Sequence, residues 1–323
     1  MYNNNDEKQG RKFFSKIGFA FLGLTLFTII IQIIIGIILQ IVPNNIVNDV
    51  NLLTIISSIA TYIIPFPLFY YVMNKISKEY KIEKKNMGIL KFIACIIVAF
   101  SLTYIGNMIG LTITSIIGGY LGSPITNPVS QMIGTNEVWA TFIAAVILAP
   151  IFEELFFRKL LIDRSIKYGG LASVLISATL FAFYHGNFSQ FFYAFLLGAF
   201  FSIVYVKTGK IEYTIALHGI VNFFGSVVSV NIASFIENAI PHDISNLTEA
   251  QALANPGVLL SFGFSMSILL IILVGILIMI LYYKKVDLPK GELAIKKSSI
   301  FLNPGMIIFI LYYLLMIYLS LFK

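Results

Sequence analysis

Long apolar runs alternate with short polar connections from one end of this chain to the other. They lie near residues 14–42, 52–74, 91–120, 138–157, 170–185, 189–206, 211–236, 257–283 and 300–322. Most are close to the ~20 residues a helix needs to cross the hydrocarbon core of a bilayer. Lipid offers the backbone no hydrogen-bond partners, so runs of this kind must satisfy themselves internally and form helices. The pattern predicts an all-α, polytopic transmembrane helical bundle of about nine spans, eight being possible because the fifth run is short. The third run is overlong and carries Gly106, Gly110, Gly118 and Gly119, which predicts a tilt, a kink or an early end.

The basic residues test this division independently of hydropathy. Of 22 Lys and Arg, 21 precede or open the first run or fall in or flank every second connection, and only Lys323 lies outside the pattern. The alternate connections, near 43–51, 121–137, 186–188 and 237–256, contain none. Lys and Arg are retained on the cytoplasmic side, so the alternation predicts a cytoplasmic amino terminus in a multi-pass protein of the cell membrane. Residues 1–13 read as a flexible cytoplasmic tail, and 14–323 as a single membrane domain. The first run is longer than the ~7 to 15 apolar residues of a signal peptide, so it reads as a retained span.

Composition agrees with this picture. The chain has 323 residues, of which 58% are hydrophobic and 11% charged, too apolar for a soluble domain of this length. A formal charge of +7 in a soluble protein would raise the question of nucleic acid, but here the charges flank helices, so no nucleic-acid partner is expected. The expected partners are membrane lipids and a peptide or protein substrate. The lone cysteine, Cys95, provides neither a disulfide nor a thiolate metal site.

Few ionisable residues lie within the runs. Glu153, Glu154 and Arg158 close the fourth, His185 ends the fifth, and His218 lies in the seventh. Charges inside a bilayer cost roughly 2.5–3.5 kcal/mol on insertion scales and so face one another or a wet cavity. Glu154 and Arg158, four apart, share a face and can pair. Glu153 points about 100° away and is the freer carboxylate, the better candidate for a general base. His218 and Asn222 share a face of the seventh run, and Phe181 and His185 repeat that spacing on the fifth, with Phe181 a candidate cavity wall. A base, imidazoles and amide donors suit attack of water on a carbonyl. The chain has no Gly-x-Ser-x-Gly elbow and no His-Glu-x-x-His motif, so acyl-enzyme chemistry has little support. His242 reads as a solvated loop residue.

In order, Glu153-Glu154-x-x-x-Arg158, Phe181-x-x-x-His185 and His218-x-x-x-Asn222 resemble the three motifs of the CAAX prenyl endopeptidase and bacteriocin-processing (CPBP, or Abi) family of intramembrane proteases. The resemblance covers a core at about 137–230. It implies an endopeptidase in which Glu153 activates water, Glu154 and Arg158 support it, and His185, His218 and Asn222 complete the site. The family is often labelled metallopeptidase, and Glu153, His185 and His218 are the residues that could hold Zn²⁺; a metal-free glutamate mechanism stays equally open. The Ile-, Asn- and Lys-rich composition is compatible with a bacterium, so prenyl processing is not expected.

The alternative is a non-catalytic membrane scaffold or a bacteriocin-immunity protein of the same family. A transporter is disfavoured because the polar residues do not repeat in two halves. The cavity is expected to open to the cytoplasm. Depth poses a problem: with the fifth span starting at Gly170, His185 lies 15 residues on, roughly 22 Å deep, while Glu153 and His218 are expected nearer the inner face. Tilted or broken helices at Gly169, Gly170 or Gly186, or a late-starting fifth span, are required to bring them together.

Overall fold

The computed structural model describes residues 4–76, 78, 80–123, 125, 137–240, 248–293 and 295–322, and among these it contains helices and no strand. In chain order the apolar helices are α1 (Asn4–Leu39), α2 (Val50–Asn74), α3 (Ile89–Leu121), α4 (Val138–Tyr168), α5 (Gly170–Tyr184), α6 (Phe188–Thr208), α7 (Ile211–Ala239), α8 (Pro256–Lys285) and α9 (Pro304–Ser320). All but α5 and α9 have the length and composition to cross a membrane. The chain is a polytopic helical membrane protein.

Two of the apolar clusters among the described residues hold most of the bundle. In one, Phe14 and Phe21 of α1, Phe69 and Met73 of α2, Phe156 and Phe157 of α4, Phe181 of α5 and Phe309 of α9 interlock. In the other, α3, α6 and α7 meet around Ala99, Phe201 and Leu217. The helix α8 is apolar on every side and packs chiefly on α3, where the Ser101 hydroxyl donates to the Ile272 carbonyl at 3.1 Å. A helix of that kind faces lipid over most of its surface.

The structure departs from expectation in two places. Residues 4–13 are not a flexible tail: they form the first turns of α1 and dock on the segment before α9. Glu7 accepts hydrogen bonds from the Lys296 amide and the Ser299 hydroxyl, and Arg11 donates to the Leu302 carbonyl at 2.9 Å. The overlong third run is one continuous helix that ends only at Gly122, in the left-handed conformation. Its glycines serve close packing. A Cβ on Gly106 would come within 2.3 Å of the Tyr193 Cα, and one on Gly110 within 2.8 Å of the Ser189 carbonyl oxygen. Backbones of membrane helices approach this closely only across small residues.

The turn between α4 and α5 explains how distant motifs align. Gly169 adopts φ 104°, a value that a side chain would oppose, and the chain reverses there. Glu153 lies 15 residues before Tyr168, and His185 lies 15 residues after Gly170. At ~1.5 Å per residue both sit roughly 22 Å from the same hairpin turn. The apparent depth mismatch arose from ending the fourth run at 157, where charges begin, whereas the helix continues to Tyr168.

Candidate active site

The second half of α4 could not stay in an apolar setting unless its charges were matched. Glu154 and Arg158 have no exposed surface, and Arg158 Nε lies 3.1 Å from Glu154 Oε2. The guanidinium rests over the Phe181 ring, 4.5 Å from its centroid, and 5.6 Å from that of Phe201. Arg158 is therefore not a residue that snorkels to the membrane surface. One turn further on, Asp163 is buried, receives the Tyr205 hydroxyl at 2.6 Å, and pairs with Lys78 at 2.6 Å and Lys159 at 2.9 Å. Arg164 donates to the Met73 carbonyl, the Leu160 carbonyl and Asn74 Oδ1. Sequence reasoning had read these cations only as markers of one membrane face.

Glu153 turns away from this network. Its carboxylate is 6% exposed, borders a cavity of about 480 Å³, and accepts the Tyr62 hydroxyl at Oε1 at 2.7 Å. His218 spans the two carboxylates. Its Nδ1 lies 2.9 Å from Glu154 Oε1 and its Nε2 3.7 Å from Glu153 Oε2. A carboxylate only accepts, so Nδ1 carries the proton and donates to Glu154. His185 Nδ1 lies 2.8 Å from the Phe181 carbonyl and by the same rule donates to it, which leaves Nε2 as an acceptor. Phe181 sits between the two imidazoles, edge-to-face with each, at 4.9 Å from His185 and 5.8 Å from His218.

Asn222 owes its place to an irregularity in α4. Residues Phe142–Leu148 form a π-helical segment in which the Ala149 amide bonds to the Ala144 carbonyl. The next donor in that register would be residue 150, a proline with no N–H. The Ala145 carbonyl thus accepts from Asn222 Nδ2 at 2.8 Å, and the second N–H of that amide remains available. Three further π-helical segments surround the site: Ile59–Ile63, which carries Tyr62; Leu155–Leu160, which carries Arg158; and Phe224–Val228, just beyond Asn222. Local π geometry of this kind recurs at functional sites.

Glu153, Phe181, His185, His218 and Asn222 all line the one cavity, while Glu154 and Arg158 stand behind it. Tyr62 was missed, although Ser58, Thr61 and Tyr62 form an i, i+3, i+4 polar stripe on an otherwise apolar helix, which was the available signal. Among the described residues, no three His, Cys, Asp or Glu side chains converge closely enough to hold a metal ion. Glu153, His185 and His218 do not form such a group in this arrangement. His242 lies outside the described residues. The cavity lies on the Lys-poor side of Glu153.

Comparison with known proteins points the same way. A profile of the type II CAAX prenyl endopeptidase Rce1-like family matches residues 135–224, the segment that holds all three motifs. The membrane-embedded CAAX protease MroQ of Staphylococcus aureus (strain USA300) is 28% identical over 173 residues, which cover 51% of this chain and 67% of that protein. No solved structure matches the chain.

Proposed function

We propose that this chain, whose motif-bearing segment is similar to the type II CAAX prenyl endopeptidases, is a CPBP-family endopeptidase of the cell membrane that hydrolyses a peptide bond with water activated by Glu153. The observation that carries the reading is the setting of Glu153, a buried carboxylate held by Tyr62 at 2.7 Å, with its other oxygen 3.7 Å from His218 Nε2 and bordering the same cavity as His185.

In this mechanism Glu153 Oε2 accepts a proton from water as the water oxygen bonds to the scissile carbonyl carbon. His185 Nε2 accepts the second water hydrogen and aligns the nucleophile. The carbonyl electron pair moves onto oxygen, where the free N–H of Asn222 donates to it; a preformed donor of this kind acts most strongly away from water. Collapse of the tetrahedral intermediate breaks the C–N bond, and Glu153 returns its proton to the departing amine. Glu154 fixes the tautomer and orientation of His218, and Arg158 balances the charge of Glu154. No step passes through a metal.

The test is cleavage of a quenched fluorogenic peptide library by the purified protein in detergent, comparing wild type with Glu153→Gln, with and without a chelator. Chelator-resistant cleavage that falls by roughly 10²–10⁴ in the variant, the usual contribution of a general base, is the expected result. Equal activity in both proteins would exclude Glu153 as the base. Loss on chelation with recovery on added Zn²⁺ would exclude the metal-free route, and an inert wild type would favour a scaffold or immunity role.

A further inference from the structure

The cavity beside Glu153 extends in one direction only. Six helices line it, and each contributes residues from the same side of the catalytic layer: α2 none beyond Tyr62, α3 none before Thr103, α4 none beyond Glu153, α5 none before Phe181, α6 none beyond Leu197 and α7 none before His218. These limits alternate with the direction of the helices, so all point to the end of the bundle where the connections carry no Lys or Arg.

The opposite direction is closed. Phe156, Phe157, Leu161, Phe201 and Leu217 have no exposed surface and, with Arg158, floor the site. Beneath them the ion pair of Asp163 with Lys78, its hydrogen bond from Tyr205 and the bonds of Arg164 to Met73 and Asn74 tie α2, α4 and α6 together. A path through that layer would separate the buried Asp163 carboxylate from the two lysines that neutralise it.

We propose that the site is loaded from the non-cytoplasmic half of the bilayer, so that the substrate is an exported or outer-leaflet peptide segment rather than a cytoplasmic chain. The basic end of the bundle faces the cytoplasm because Lys and Arg are retained there, which places the cavity mouth on the far side. Among the described residues, apart from Glu153 and the two histidines, the lining is uncharged, its polar groups being hydroxyls and amides such as Ser58, Thr61, Asn107, Gln190 and Ser226. A charged substrate side chain would meet no partner among them, so the segment entering the cavity is uncharged. The identity of the occupant as a substrate rests on the peptidase reading; the side of access does not.

Cysteine accessibility tests this without any catalysis. In a Cys95→Ala background, Ser58→Cys and Ser226→Cys report the cavity and Lys81→Cys reports the basic face. Each is treated with a charged, membrane-impermeant maleimide in intact cells and in inverted membrane vesicles, and folding is checked by size-exclusion chromatography. The expected result is labelling of both cavity positions in intact cells and its loss in inverted vesicles, with Lys81→Cys behaving in the opposite way. Labelling of the cavity positions from the same side as Lys81→Cys, from neither side, or of Lys81→Cys from outside would overturn the proposal. A protein that labels as expected yet cleaves no peptide would instead overturn the peptidase reading alone.

Discussion

The ion pair behind the site offers a quantitative test of how the charges are tolerated. In Arg158→Met the side chain keeps most of its volume but loses its charge, leaving a fully buried Glu154 with His218 as its remaining neighbour of opposite character. Among the described residues Arg158 Nε, Nη1 and Nη2 have no hydrogen-bond partner, so the guanidinium is compensated by the charge of Glu154 at 3.1 Å and by the faces of Phe181 and Phe201. Breaking such a pair from one side costs about 3–5 kcal/mol, whereas replacing both members with neutral groups is often nearly neutral. The single variant is therefore expected to lose about 3–5 kcal/mol, and Glu154→Gln/Arg158→Met to return to within about 1 kcal/mol of wild type, since a Gln oxygen can still accept from His218 Nδ1. Unfolding can be followed in mixed micelles by reaction of the sole cysteine, half-buried Cys95, with a thiol dye. A double-mutant coupling below about 0.5 kcal/mol, the level expected of independent sites, would refute the view that each charge is there to neutralise the other.

Tyr62→Phe keeps the ring stacked near Phe152 and removes only the hydroxyl that holds Glu153. A hydrogen bond to a charged group is worth roughly 1.5–3 kcal/mol, so kcat should fall about 10- to 100-fold, with KM and the thermal midpoint unchanged; a change confined to KM or to stability would contradict a positioning role. Asn222→Ala removes the oxyanion donor and should lower kcat by about 10²–10³ in the same peptide assay, while Asn222→Asp, which keeps the size but cannot donate, should not restore it. Gly106→Val forces α3 from the α6 backbone, where Tyr193 Cα leaves a Cβ only 2.3 Å, and should destabilise the protein by at least about 1–3 kcal/mol; unchanged unfolding would mean that the two helices are free to separate.

The extent to which the sequence discloses this molecule follows from which interactions are local. Span existence was legible because hydropathy and the alternation of Lys and Arg are independent signals that agree. The site motifs were legible because each is an i, i+4 pair on one helix, as with His218 and Asn222. The inner end of α4 was misread because its charges are satisfied by partners far along the chain: Asp163 by Tyr205 and Lys78, Arg164 by Asn74. Charge usually marks the edge of a membrane segment, and here it marks a buried network. The docked amino terminus was missed for the same reason, since Glu7 and Arg11 find their partners near residue 300.

The π-helical segments show why spacing picked out residues that share one cavity but not their arrangement. A regular α-helix satisfies every interior carbonyl and has none to lend. Widening α4 at Phe142–Leu148 and placing Pro150 one step beyond it leaves the Ala145 carbonyl for Asn222, fixing one half of that amide and orienting the other. The same widening in α2 falls on Ile59–Ile63 and carries Tyr62, whose hydroxyl meets Glu153. Each segment sacrifices regular helix geometry beside the cavity, and in two of them a side chain or carbonyl beside the reacting groups gains a partner on another helix. A deletion of one residue within Phe142–Leu148 that returned the helix to α register would thus shift Asn222's acceptor without touching any motif residue, which is the kind of dependence that three correctly spaced motifs alone do not encode.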